Sequence, residues 1–168
     1  TSLPIDEAPG RMVLATFCED QRPLKGSVGL IDWRLNGKVS ELILKNHITG
    51  EFADSLMMPS QGRLVAKEIL LFGLGKQGQL SEERFEQIFP LLIQKVIKLK
   101  SRDLALTLGD LSKDFMGWRT LLRSFVGSLA LQHGRDDYRV LCAENIKWVQ
   151  EAKRRNMDFG PEVTVSYA

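Results

Sequence analysis

Short, unbroken apolar runs alternate along this chain with helical stripes, and that alternation constrains the fold more than any single residue does. Residues 68–74 are nearly continuous Ile-Leu-Leu-Phe, as expected of a strand covered on both faces. Phe85, Ile88, Phe89, Leu92, Ile93, Val96 and Ile97 then recur at the spacing of one helix face. Ser81 is placed to cap that helix, Glu82 and Glu83 suit its dipole, and Pro90 should kink it or mark the start of its longer half. Residues 103–108 read as another buried strand. A second stripe follows (Trp118, Leu121, Leu122, Phe125, Val126, Leu129), ending at a His133-Gly134 cap, and a strand is expected at 138–143.

The flanks carry the same pattern more weakly. Residues 11–18 have strand length, and 55–58 form a brief strand candidate stopped by Pro59. Val28, Ile31, Leu35, Val39, Leu42 and Ile43 predict two helical pieces with a break near Asn36-Gly37. Residues 144–156 predict a helix with Ile146, Val149 and Ala152 inward and Lys147, Lys153, Arg154 and Arg155 outward. Val163, Val165 and Tyr167 alternate with polar residues and suggest a last strand. Strands alternating with helices predict an α/β fold with a mixed sheet of about five to six strands and helices on both faces.

A length of 168 residues suits one domain over 1–168, and 43% hydrophobic residues suffice for a core without staples. The net charge of +2 gives no strong field to attract nucleic acid or a membrane. The basic clusters Lys95, Lys98, Lys100, Arg102 and Lys147, Lys153, Arg154, Arg155 are offset by acids and lack interleaved aromatics, which favours solvated helix faces. No apolar run reaches the length of a membrane helix. Cys18 and Cys142, each inside an apolar run, read as buried thiols of a reducing compartment. With no secretory signal before them, a cytoplasmic protein is expected.

One stretch is more specific. Arg22-Pro23-Leu24-Lys25-Gly26, followed by Gly29-Leu30-Ile31-Asp32-Trp33-Arg34-Leu35-Asn36-Gly37, resembles the helix signature of the amino-terminal domain of leucine aminopeptidases. The segment 68–76, ending Phe72-Gly73-Leu74-Gly75-Lys76, is similar to that family's strand and turn, and the resemblance spans about residues 11–89. It implies a three-layer, macro-like fold in which these are residues of the fold. On that view Asp32 and Arg34 cap and pair locally, and Trp33 is a buried anchor holding its helix on the sheet. The family's chemistry lies in a second, carboxy-terminal domain with two metal ions and an Asn-Thr-Asp-Ala-Glu-Gly-Arg-Leu run. That run is absent, and the sequence reaches Ala168 about where such a domain would begin. The expectation is therefore a non-catalytic module without cofactor, metal site or catalytic residue. It would act in assembly or regulation, as a homo-oligomer or on a separate peptidase subunit. The alternatives are a small-ligand module for ADP-ribose or a nucleotide, and the leading fragment of a metal-dependent leucyl aminopeptidase.

If a ligand binds, its site should lie at the carboxyl ends of the strands 68–74 and 103–108. There the turn Gly73-Leu74-Gly75-Lys76-Gln77-Gly78 and the loop 109–117 would face one crevice, with Gly73, Gly75, Lys76, Gly109, Asp110 and Lys113 as contacts. The turn has the form G-x-G-x-x-G, which can cradle phosphate at a helix start. Against a dinucleotide site, the helix starts late, at Ser81, and about twenty residues on the chain reads Lys95-Val96-Ile97-Lys98-Leu99-Lys100, with no acid for a ribose. His47 and His133 stand apart without other ligand types nearby, and no G-x-S-x-G nucleophile elbow occurs.

Overall fold

The computed structural model describes residues 2–112, 117–132 and 136–154, together with positions 159, 163, 164 and 166. A short 3-10 turn, Ile5–Glu7, precedes β1 (Met12–Phe17), α1 (Gly26–Arg34) and α2 (Lys38–Leu44). Then come β2 (Ser55–Pro59), β3 (Glu68–Gly73), α3 (Glu82–Lys98) and β4 (Asp103–Leu106). The series closes with α4 (Gly109–Ser112), α5 (Trp118–Gln132), β5 (Arg139–Cys142) and α6 (Ile146–Arg154).

The strands form one mixed sheet in the order β2-β3-β1-β4-β5. β1 pairs in parallel with β3 and β4, β4 with β5 likewise, and only the edge strand β2 runs antiparallel, against β3. Alternation along β1 divides the core in two. Met12 and Leu14 face a layer built on α3 and α5, with Phe85, Phe89 and Phe125 fully buried there. Val13, Ala15 and Phe17 face the opposite layer, where Val28, Ile31 and Val39 of α1 and α2 pack with Ile69 and Leu71 of β3. These are the three layers that the sequence alternation implies.

Local chemistry explains the element ends. The Ser81 hydroxyl accepts the Arg84 amide at 3.2 Å, as an N-cap should. Pro90 lies inside α3, which continues past it as one helix to Lys98. The break between α1 and α2 falls at Asn36 and Gly37, both with positive φ (55° and 80°). Asp32 reaches across it, accepting the Ser40 amide at 3.0 Å and the Ser40 hydroxyl at 2.5 Å. Pro59 does not stop β2 but ends it within the pairing, opposite Glu68, at a sheet edge where a missing N–H is tolerated.

Three expectations are corrected. Trp33 is not a buried anchor; it is 68% exposed, because Val28 and Ile31 occupy the inward face of α1 and Trp33 points away from it. Ile146 is 54% exposed, since it opens α6 at the end of the sheet; Val149 and Ala152 face inward as expected. The segment after β4 is not an irregular loop throughout, because residues 109–112 form the helical turn α4. The suggested cap at His133-Gly134, Arg155, and the positions Val165 and Tyr167 of the suggested last strand lie outside the described residues.

Candidate functional site at the carboxyl ends of the strands

The parallel strands β1, β3, β4 and β5 end at one edge of the sheet, where α/β folds open their ligand crevices. A cleft of about 380 Å³ lies there against β4 and β5. Its lining includes the apolar Leu3, Ile5 and Leu30 and the polar Thr107, Asp110 and Glu144.

Two carboxylates organise this end. Glu144, directly after the apolar run of β5, is only 4% exposed. Its Oε1 accepts the Leu108 amide at 2.6 Å, and its Oε2 accepts the Gly109 amide at 3.0 Å and the Thr107 hydroxyl at 3.3 Å. Burial raises its pKa above the ordinary carboxylate value, and these hydrogen bonds hold it back only in part. Gly109 is required for this fit, since a Cβ there would stand 2.6 Å from Glu144 Oε2. Asp110 caps α1: its Oδ2 accepts the Ser27 amide at 2.6 Å. Gly26 makes room for it with a φ of 60°, and a Cβ there would lie 2.5 Å from the same oxygen.

The glycine-rich turn after β3 is built differently. Gly73 abuts the backbone of Gly50 and Glu51, leaving no room for a Cβ. The Leu74 amide donates to Phe17 O at 3.0 Å, the Gly75 amide to Gly50 O at 3.0 Å, and the Gln77 amide to Asp20 Oδ1 at 2.9 Å. Lys76 is exposed, with Nζ 3.8 Å from Glu19. Of the six contact candidates, then, Asp110 lines the cleft and Gly109 packs on Glu144 beside it. Gly73, Gly75 and Lys76 are not among the residues lining that cleft, and Lys113 lies outside the described residues. Glu144, Thr107 and Ser27 were not anticipated as site residues. The one sequence signal for Glu144 is its position, an acid immediately after a strand-length apolar run.

Neither cysteine is placed as an activated nucleophile. Burial pushes the Cys18 thiol up to about 11 and the Cys142 thiol to about 12, so both stay protonated at neutral pH. Among the described residues, no group of three His, Cys, Asp or Glu side chains is disposed to hold a metal ion. No helix of the described residues is long and apolar enough to cross a membrane.

The sheet order, the two helical layers and the strand-end cleft define a macro-like α/β domain. Residues 13–132 match the family model "Cytosol aminopeptidase family, N-terminal domain", and the chain belongs to that family. A protein of Pseudomonas syringae pv. tomato named "Probable cytosol aminopeptidase" is 26% identical over 117 residues, which is 70% of this chain and 24% of the relative. The chain thus spans about a quarter of that relative's length. Among solved structures, the macrodomain of Mycobacterium tuberculosis DarG superposes with a TM-score of 0.62 at 14% identity, covering 84% of this chain and 95% of the other. A mutant of tomato leucine aminopeptidase gives 0.58 at 14% identity, covering 86% of this chain and 31% of the other. Thermosipho africanus DarTG in complex with ADP-ribose gives 0.56 at 10% identity, covering 82% of this chain and 39% of the other. At these identities the structural likeness speaks for the fold.

Proposed function

We propose that this domain is a non-catalytic module of the cytosol aminopeptidase family that acts in the assembly or regulation of a peptidase, by self-association or by docking on a separate peptidase subunit. The observation that carries this reading is the occupancy of the strand-end amides. Three donors at the strand ends, the amides of Ser27, Leu108 and Gly109, already bind the chain's own carboxylates Asp110 and Glu144. A diphosphate entering the cleft would meet two acids and no vacant amide among these three, so desolvation and like-charge repulsion would oppose it. A protein surface needs no such cradle.

A second reading, a site for ADP-ribose or a nucleotide, is favoured by the fold likeness to a domain solved with ADP-ribose and by the cleft's volume. The self-capped amides weigh against it. Two measurements separate the readings, and a third checks that the module is non-catalytic. The purified chain should not hydrolyse leucyl amides with manganese, zinc or cobalt. Its melting point should not move with ADP-ribose. It should co-elute with itself or with a cytosol aminopeptidase from the same source, with a melting point that falls on dilution. A saturable melting shift with ADP-ribose, together with a monomer at all concentrations, would defeat the assembly reading.

A further inference from the structure

The exposed apolar side chains of this domain include a group gathered about the cleft. Leu3 and Ile146, 37% and 54% exposed, line it, and Leu30 of α1 forms part of its wall. Trp33 lies three residues beyond Leu30, so the two are neighbours on the surface of α1. Its indole is held in place: the Arg34 guanidinium sits 5.1 Å from the ring centroid, and Arg34 Nε is tied at 2.5 Å to Oδ2 of the buried Asp6. An exposed tryptophan fixed beside an arginine is the kind of residue that carries binding energy in protein interfaces, because little side-chain freedom remains to be lost.

The same face presents an exposed carboxylate, Asp110, with the buried Glu144 beside it. Asp110 and Glu144 both line the cleft, and among the described residues no Lys, Arg or His side chain lies within 4.0 Å of either carboxylate. The neighbouring lysines do not neutralise them. Lys147 rests over the Trp148 ring, 4.9 Å from its centroid, and Lys25 precedes α1 without an ion pair to Asp110. Asp110 is exposed and spends one oxygen on the Ser27 amide, so its second oxygen is available to a cation.

We propose that this face, from Ile146 and Leu3 across Leu30 to Trp33, docks a polypeptide segment presenting bulky apolar side chains together with a lysine or arginine. The apolar side chains cover Leu3, Ile146 and Trp33, and the cation meets Asp110 at the cleft. An acidic segment of the same shape is refused, because it would bring like charge to the exposed Asp110 carboxylate, held in place by the Ser27 amide. The proposal takes from the assembly reading only the identity of the partner as a peptidase; the face itself stands on exposure and charge.

Fluorescence anisotropy of two labelled peptides tests it, one of alternating leucine and lysine at helical spacing and one with glutamate for every lysine. The leucine–lysine peptide should bind saturably, and about tenfold or more tighter than its acidic counterpart, with a difference that shrinks as salt screens the charges. Trp33→Ala and Asp110→Asn should each weaken it by about tenfold, the effect of losing one dominant contact. The asparagine keeps an acceptor for the Ser27 amide, so the helix cap survives. Leu131→Ala, at an exposed position on the last turn of α5, should change nothing. Equal affinity for the two peptides, or affinity indifferent to both Trp33→Ala and Asp110→Asn, would overturn the proposal. If a peptidase fails to co-elute while the peptides still discriminate, the assembly reading falls and this face stands. If a peptidase co-elutes and ignores both substitutions, the face falls and the assembly reading stands.

Discussion

Replacing Glu144 with alanine tests the internal capping of the strand ends most directly. The side chain is 4% exposed and accepts from two backbone amides and a hydroxyl. Truncation strands the amides of Leu108 and Gly109 in a site shaped around a carboxylate, and a stranded buried donor costs about 1–3 kcal/mol. Part of the loss is returned, because the raised pKa shows that burial of this charge is itself unfavourable. A net destabilisation of about 2–4 kcal/mol follows. For a chain of this size that is a fall of roughly 4–16 °C in melting point. Calorimetry with acetate added adds a specific signature, since acetate can refill the carboxylate site and restore part of the loss in Glu144→Ala but do nothing for the parent. The pH dependence has a definite sign. An acid whose folded pKa lies above its unfolded value near 4.5 is better accommodated protonated. Its contribution to stability is therefore full below that unfolded value and declines as pH rises through the raised folded one. Glu144→Ala should lack that decline. A variant that melts within a degree or two of the parent, without response to acetate, would refute the reasoning.

Three further outcomes follow from the geometry. Trp33→Ala should shift stability by no more than about 0.5 kcal/mol in urea denaturation, because the indole is largely solvated. Arg34→Ala should cost about 1–3 kcal/mol by leaving the buried Asp6 carboxylate without its cation, a figure reduced because Arg34 is itself partly exposed; Asp6→Asn in the same chain should recover most of it. Gly26→Ala should destabilise by about 2 kcal/mol or more, measured the same way, since its φ of 60° and the Asp110 oxygen both exclude a Cβ.

The periodic elements were legible because burial imposes a period on the sequence. The stripe of α3, the run of β3 and the break at Asn36-Gly37 are read correctly from spacing alone. Trp33 was misread because side-chain size was allowed to outweigh position. At 100° per residue it stands about 200° around the helix from Ile31, on the far side from the buried face. The site was less legible. A carboxylate is assigned to an amide only by the fold: Glu144 meets Leu108 across 36 residues, Asp110 meets Ser27 across 83, and Asp20 meets Gln77 across 57. No local pattern records such pairs. The glycine-rich turn was visible, but its form says only that backbone can approach closely and not what approaches it.

That distinction bears on how a fold of this type acquires a function. The parallel strands deliver unpaired amides to one edge of the sheet wherever a strand gives way to a turn or helix. Such donors must find acceptors, and the acceptor can be a bound anion or a side chain. Here Gln77, Ser27, Leu108 and Gly109 find Asp20, Asp110 and Glu144, and both Gly26 and Gly109 leave only enough room for the carboxylate that is present. The amides are thereby made structural, tying β4, β5 and α1 together at the end of the sheet. What remains open to solvent is the opposite chemistry, namely the Asp110 carboxylate beside exposed Leu3, Ile146 and Trp33. On the proposal above, a cleft so arranged would discriminate against phosphates and in favour of a basic, apolar protein segment.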